Sequence, residues 1–581
     1  MLLEQVDPVM LRIPRELVDR ARPLLQAKDT SAEYELRRLR QNAGWKRHRM
    51  GPAAYDAEVK ALEARVNLDL LYVDGDGHWT LSGLREHLSS RLGVPYEVLY
   101  DLPEPRGLPW LKSPEELLGK PPMPHQLLGA SRAIQAGHGT CDFACGAGKT
   151  LTFVLFLREL GLRSAVVVYS KVLAEQITAA LVRFFGERFV GEYNGSTKQL
   201  GKLITVCTGG TLRNVKRGSE AWGWFSSCKI LIGDESHLFG ADVLCEVATN
   251  LFAAAPYRLF TSATQTRGDG RELLLRGVVG PTLAELTFRQ AVELDLLAKP
   301  TFCEVPFDSS IVCQSGDPDR LTRAHVYESP QVADMAAALA DKLEADGYSV
   351  LILAEEFPQL ALISQRLRGD FAVLHGNTGE ATFTVNFWQG ASERCTASAR
   401  LEVRERGTST WLKLAAEDLH DLLRERSGVQ YELRSMQEDP KVPGSLVEVV
   451  RHLAGLEPRT VTGRYLLDRK FRECDSQKIV ADFNAQTVRK VLMSGAGRVG
   501  VDFRPCRPMA LLYLVGGTSE IAFVQAIGRG SRRQGKDHFL VVDFRPRNIP
   551  RLDIQADTRN RIMTDLWESP TSVELGLLLG T

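Results

Sequence analysis

A chain of 581 residues that is 44% hydrophobic and 25% charged is too long for one core and too apolar for a disordered or fibrous protein, so roughly three or four packed domains are expected. Lys+Arg and Asp+Glu both total 72, which excludes capture of a polyanion by overall charge and demands a local basic patch for any such partner.

The chain starts with an apolar run interrupted by Glu4 and Asp7, and no later segment reaches membrane-spanning length. We therefore expect a cytoplasmic protein with no membrane partner. The 10 cysteines contain no CxxC pair, so free thiols are expected rather than a zinc ribbon or a disulfide framework.

Residues 1–115 mix strand-like runs (9–13, 68–73) with a helical run (82–92) and read as a small α/β accessory module. Within it, residues 37–49 gather Arg38, Lys46 and Arg47 around Trp45. Such a run suits phosphate contact with ring stacking, or else a solvated helix face. The Leu- and Pro-rich text of 101–124 breaks regular structure and reads as a linker.

Beyond it, short apolar runs at 165–169, 203–207, 230–232 and 257–260 alternate with amphipathic segments, the pattern of a doubly wound parallel sheet. A second series follows at 349–354, 371–374, 491–493, 511–515 and 539–542. Two tandem α/β lobes are expected, 116–295 and 296–378 with 475–581. The rhythm stalls over 379–474, which reads as an insertion in the second lobe. Trp79 followed by Gly-Val-Pro-Tyr-Glu-Val (93–98) is echoed by Trp411 and Gly-Val-Gln-Tyr-Glu-Leu (428–433). Two copies of one module and a chance likeness between strand-helix-strand units both fit this echo.

Residues 143–150 (FACGAGKT) carry the chemistry. Gly146, Ala147 and Gly148 let backbone N–H groups turn toward phosphate oxygens, Lys149 reaches the β- and γ-phosphates, and the Thr150 hydroxyl can ligate magnesium. Phe143 stands where the general pattern has glycine. Downstream, an apolar strand ends in Asp234-Glu235-Ser236-His237. Asp234 is placed to hold Mg2+ through water and Glu235 to polarise the attacking water, with His237 beside it for coupling.

In this order the motifs resemble superfamily 2 helicases and translocases of the DExH kind, in the XPB and phage UvsW group. Residues 143–150 resemble motif I, whose early glycine is commonly replaced in this family, and 234–237 (DESH) resemble motif II. Residues 262–264 (SAT) resemble motif III, 500–502 (GVD) motif V and 525–532 (QAIGRGSR) motif VI. The resemblance implies two RecA-like lobes using ATP and Mg2+. It implies nucleotide contacts from Gln126, Gly500, Asp502 and Gln525, with Arg529 and Arg532 stabilising the transferring phosphate. It implies coupling through His237, Ser262 and Thr264, and nucleic-acid backbone contacts at Ser170, Thr208, Gly209 and His375. Residues 68–92 are similar to the accessory domain preceding the core in UvsW-like helicases. The implied function is an ATP-dependent DNA helicase or double-strand translocase in repair, recombination or replication. Its implied partners are duplex or branched DNA, with proteins engaged through 379–474. An RNA helicase, or a motor subunit of a repair or defence complex that does not unwind, fits the same motifs.

Overall fold

The computed structural model describes residues 1–375 and 476–580 apart from 42, 76, 264–268, 314, 316, 495–502, 506 and 534–537, together with the backbone of five strands between 380 and 466. The chain divides into two compact units, Met1–Glu293 and Leu294–Thr581.

In the first unit the apolar runs become a seven-stranded sheet. Its order is Val190–Tyr193, Ile204–Thr208, Ser164–Val168, Ile230–Asp234, Tyr257–Ser262, His138–Phe143, Thr282–Leu286, and every pairing is parallel. Ser164–Val168 and Ile204–Thr208 are buried at every position. Such continuous burial is what a parallel sheet covered on both faces requires, and it is why these strands read as unbroken apolar runs. His138–Phe143 escapes that reading because it carries polar residues, each given a partner. His138 Nε2 donates to the Val278 carbonyl at 3.0 Å, and Asp142 accepts from Thr140 and Thr282.

The N-terminal residues form a five-stranded sheet in the order Tyr72–Asp74, Gly77–Leu81, Met10–Arg12, Leu3–Gln5, Tyr96–Val98. Although the sequence suggests a boundary near residue 115, this module and the lobe share one core. Leu11, Leu84 and Leu88 lie in the same buried cluster as Leu275 and Val278. Two glycines permit the approach. A Cβ on Gly83 would fall 2.4 Å from the Arg276 carbonyl oxygen, and one on Gly277 would fall 2.8 Å from Leu81. Buried Arg85 crosses the junction, donating to Gln5 Oε1 at 3.0 Å and to the His138 carbonyl at 3.3 Å. Because backbone rather than a flexible side chain meets the added methyl, Gly83→Ala is expected to cost about 1–3 kcal/mol. Faster hydrogen exchange in Arg85–Leu92 and Glu272–Val279 would report it, and unchanged exchange would show that the junction yields freely.

The Pro-rich stretch is likewise no free tether. Arg106 and Leu108 donate backbone N–H groups to the carbonyls of Leu160 and Arg158, and Trp110 stacks on Phe185 at 5.5 Å with 3° between planes. Proline removes donors here without costing order, because the remaining N–H groups find partners on the lobe.

Residues 68–73, read as one strand, are two strands in two sheets. Asn67–Asp69 pairs with Gln26–Lys28, whereas Tyr72–Asp74 pairs with Gly77–Leu81. Buried Leu70 and Leu71 form the corner, braced by the Leu71 N–H on Asp69 Oδ1 at 3.0 Å. The first of these pairs is the base of an arm built from the helices Thr30–Gln41, Ala43–Met50 and Pro52–Val66, which bury Leu36, Leu39, Tyr55 and Leu62 among themselves.

The second unit is again seven parallel strands, ordered Ala372–Leu374, Lys490–Met493, Ser349–Leu353, Met509–Tyr513, His538–Pro546, Lys299–Phe307, Thr571–Ser572. The protein is thus two parallel α/β lobes with a small N-terminal module. Ala372–Leu374 and Lys490–Met493, the strands on either side of 379–474, are neighbours in this sheet. The five strands in between pair only among themselves: Glu380–Asn386 with Thr460–Leu466, and Arg400–Glu405 with both Leu412–Ala415 and Tyr431–Ser435. The rest of the insertion lies outside the described residues. Its three-stranded sheet places Arg400–Glu405 between its partners, whereas Tyr72–Asp74 lies outside Gly77–Leu81. The two segments that echo one another in sequence therefore differ in strand order.

Candidate nucleotide site

The loop between strand His138–Phe143 and helix Lys149–Leu160 follows from its glycines. Gly146 and Gly148 both have φ of +88°, a conformation that costs glycine little, and Gly148 caps the helix. The helix start therefore points N–H groups and the positive end of its dipole at the loop. Phe143 is the last residue of the strand, fully buried, with its ring edge-on to His125 at 5.1 Å. Its position belongs to the core rather than to the phosphate cradle, which explains why glycine is not needed there.

Gln126 is buried against this loop. Its Nε2 donates to the carbonyls of Ala147 (3.2 Å) and Gly148 (3.3 Å), while its Oε1 accepts from the Met123 N–H. His125 Nε2 also donates to Ala147 O, at 2.9 Å. A Cβ on Gly148 would meet only the end of the Gln126 side chain, so it is the left-handed φ of +88° that favours glycine there.

Strand Ile230–Asp234 ends next to the loop's lysine. Glu235 then takes a left-handed backbone (φ 54°, ψ 61°), rare for a residue with a side chain and a strain that clusters at functional sites. Its Oε1 lies 3.8 Å from Lys149 Nζ and its Oε2 3.5 Å from His237 Nδ1. His237 Nδ1 in turn lies 3.2 Å from the hydroxyl of buried Ser262. One line of contacts thus joins Lys149, Glu235, His237 and Ser262. Thr264 lies outside the described residues.

Asp234 Oδ1 accepts from Thr261 Oγ1 and from the Glu235 N–H, both at 3.0 Å. Burial pushes its carboxyl above the usual range, Lys149 opposes this and Glu235 adds to it. A carboxylate held short of charge balance beside a phosphate loop, with the Thr150 hydroxyl on the adjoining helix, suits a hydrated Mg2+. That ion takes few protein oxygens and leaves the rest of its shell to phosphate and water.

The strand order sets three loops side by side at the carboxyl edge of the sheet, after 164–168, 190–193 and 204–208. Ser170 accepts from the Leu173 N–H and caps helix Lys171–Phe185. Thr208 Oγ1 donates to Thr211 Oγ1, and Gly209 leaves no room for a Cβ, which would stand 2.3 Å from Leu244. Lys171, which follows Ser170 in the same resemblance, and Tyr169, which reads in sequence as the end of an apolar run, stand on the same edge. Tyr169 is 60% exposed directly after five buried residues, and Lys171 Nζ donates to Ser196 Oγ at 3.0 Å. In sequence Tyr169 merely closes the apolar run 165–169, so only its exposure in the fold sets it apart.

On the arm, Arg38 is exposed, Lys46 is half-buried, and Arg47 pairs with Asp56 at 2.7 Å while lying over the Tyr55 ring. Arg37 and Arg40 pair with Glu33 and Glu63. Three of the run's arginines, Arg37, Arg40 and Arg47, are thus paired with the arm's own acids.

In the second unit, Gln525 and Arg529 share a half-buried stripe of helix Glu520–Gly530, one turn apart. Arg532 follows the helix in a bridge with Leu297, and Arg533 pairs with Asp295. The turn that leads into this helix is fixed from below. Arg559 Nη1 donates to the Gly517 carbonyl at 2.9 Å, the Gly517 N–H donates to Gln555 Oε1, and Arg559 Nε donates to buried Asp543 at 2.7 Å. His375, after strand Ala372–Leu374, is buried. Gly500 and Asp502 lie outside the described residues.

The parallel lobe, its phosphate loop and the acidic strand end define the phosphate-loop class of α/β lobes. Residues 124–271 match the DEAD/DEAH box helicase family. The chain resembles DNA helicases of the XPB kind. It is 30% identical to the DNA 3'-5' helicase XPB of Mycobacterium tuberculosis over 167 residues, 27% of this chain and 29% of that one. With the XPB helicase of Kineococcus radiotolerans it shares 24% identity over 273 residues, 44% of this chain and 46% of the relative. The chain thus spans less than half the length of the curated relatives it matches. Among solved structures, the UvsW helicase of bacteriophage T4 is similar at 15% identity and a TM-score of 0.35, over 49% of this chain and 100% of that one. Among the described residues, no helix is long and apolar enough to cross a membrane.

Proposed function

We propose that the protein is a nucleic-acid-dependent ATPase acting as a DNA helicase or double-strand DNA translocase. The line Lys149–Glu235–His237–Ser262 carries this reading, because it joins a phosphate-binding lysine to a water-polarising carboxylate and that carboxylate to the segment after the next strand. Bound Mg2+ would neutralise charge on the phosphates, held by Thr150 and Asp234. Lys149 binds the β- and γ-phosphates, Glu235 orients water, and Arg529 and Arg532 supply the positive charge that the transferring phosphoryl group needs. His237 relays the state of Glu235 to Ser262. Tracking of the nucleic-acid backbone is assigned to Ser170, Thr208, Gly209 and His375, with Arg38 and Lys46 adding phosphate contacts on the arm. The DNA assignment draws on the printed names of the XPB relatives.

ATP turnover measured with equal lengths of duplex DNA, single-stranded DNA and RNA tests the reading. Stimulation by DNA, abolished in Lys149→Ala, supports it. Stimulation by RNA alone would make the protein an RNA-dependent motor, and turnover indifferent to every polymer would overturn the proposal. Strand displacement set beside triplex displacement separates a helicase from a translocase.

A further inference from the structure

Among the described residues, Arg271 links the arm to the acidic segment by its side chain. Arg271, 6% exposed, sits just beyond the Ser262 segment and reaches three elements at once. Its Nη1 donates to the Gly240 carbonyl at 3.1 Å, which ends the turn Ser236–Gly240 that carries His237. Its Nη2 donates to Asp242 Oδ1 at 2.5 Å. Its Nε lies 3.2 Å from Oδ2 of Asp29, which is fully buried.

Asp29 stands at the base of the arm. Its Oδ1 accepts from the Ala32 N–H at 2.8 Å, capping helix Thr30–Gln41, and its own N–H donates to the Val66 carbonyl at the end of the returning helix. The contact is doubled in the backbone. The Thr30 N–H donates to the Asp269 carbonyl at 2.9 Å, and a Cβ on Gly270 would fall 2.1 Å from the Lys28 carbonyl oxygen. Asp29 Oδ2 also lies 3.7 Å from Arg65 Nη2, and among the described residues neither that oxygen nor Arg271 Nε has a hydrogen-bond partner, so charge pairing is what offsets the desolvation of this buried contact. A shift of the Ser236–Gly240 turn is therefore either passed through Arg271 to Asp29 or breaks one of these two contacts.

We propose that Arg271 is a positioning residue that ties the basic arm to the acidic segment 234–240, so that duplex phosphates engaged by the arm are felt at Glu235. The path is contiguous, from Glu235 to His237, along the turn to Gly240, through Arg271 to Asp29 and into the arm. The inference rests on the ATPase reading above and adds to it a residue pair and a direction of coupling. Neither Arg271 nor Asp29 belongs to the hydrolytic site.

The test uses the full chain and the variants Asp29→Asn, which keeps a capping side chain but removes the charge, and Arg271→Lys, which keeps the charge but loses the three-way fork. Two readouts separate this proposal from the reading beneath it. In the first, each variant is expected to keep basal ATP turnover and duplex affinity within about twofold, while the ratio of DNA-stimulated to basal turnover falls by about fivefold or more. The double variant should cost no more than the worse single one, since both break the same link. In the second, which needs no hydrolysis, hydrogen exchange of Ala32–Arg40 is followed with and without a non-hydrolysable ATP analogue and Mg2+. Protection that changes with nucleotide in the parent chain but not in Asp29→Asn supports the coupling. Stimulation ratios unchanged in both variants, or an arm whose exchange ignores nucleotide in the parent chain, would overturn it. Loss of basal turnover along with stimulation would also overturn it, since the pair would then be holding the site itself.

Discussion

Glu235→Gln is expected to lower ATP turnover by about 10²–10⁴-fold with nucleotide binding retained. Glutamine matches glutamate in shape, so the left-handed backbone at 235 and the packing around it persist, while the charge facing Lys149 and His237 disappears. In the proposed role, what is lost is the group that polarises water, a contribution made to the transition state more than to the bound nucleotide. Turnover should collapse while the affinity for a fluorescent ATP analogue changes little. Unaltered turnover in this variant would remove Glu235 from the hydrolytic role and with it the functional reading of the strand end. The fold is controlled for by unchanged thermal unfolding.

Asp543→Asn is expected to cost about 3–5 kcal/mol in the second unit, the largest stability effect anticipated here. Asp543 and Arg559 are both almost fully buried, and asparagine would leave the guanidinium without its counter-charge. Arg559 also holds the Gly517 carbonyl, so the turn before helix Glu520–Gly530 should loosen with it. Faster hydrogen exchange in His538–Pro546 and Pro550–Leu566 would report the loss locally, which suits a chain of two units better than one global midpoint. Replacing both partners by apolar residues, Asp543→Leu with Arg559→Met, should recover much of the cost because no buried charge remains. Protection that is unchanged in Asp543→Asn would mean that the pair does not hold this turn.

Both expectations show how unevenly the chain discloses itself. Glu235 was legible because its setting is contiguous in sequence, with an apolar strand, two carboxylates and a histidine in one run. Asp543 and Arg559 gave no such sign, since an aspartate after an apolar run and a helical arginine are common and only their packing makes them a pair. Among the strands, Ser164–Val168 and Ile230–Asp234 were readable as apolar runs, whereas His138–Phe143 was hidden by buried polar residues whose partners, Val278 and Thr282, come from much later in the chain. The basic run was legible in sequence, but how its charges are shared with neighbouring acids was not. Its charges are conspicuous in sequence, but Glu33, Asp56 and Glu63 answer several of them on the folded arm.

The sequence by itself determined the chemistry of the phosphate loop, the acidic strand end and the parallel character of both sheets. Each of these depends on residues adjacent along the chain, where glycine conformation, helix start and side-chain polarity act locally. The tertiary structure alone decided that the N-terminal module shares the first lobe's core through Gly83 and Gly277, and that the Pro-rich stretch lies along the lobe. It alone decided that Arg271 joins the arm to the acidic segment. Those features are close approaches and charge pairs between residues far apart in sequence, and their energy exists only once burial has removed water from both partners.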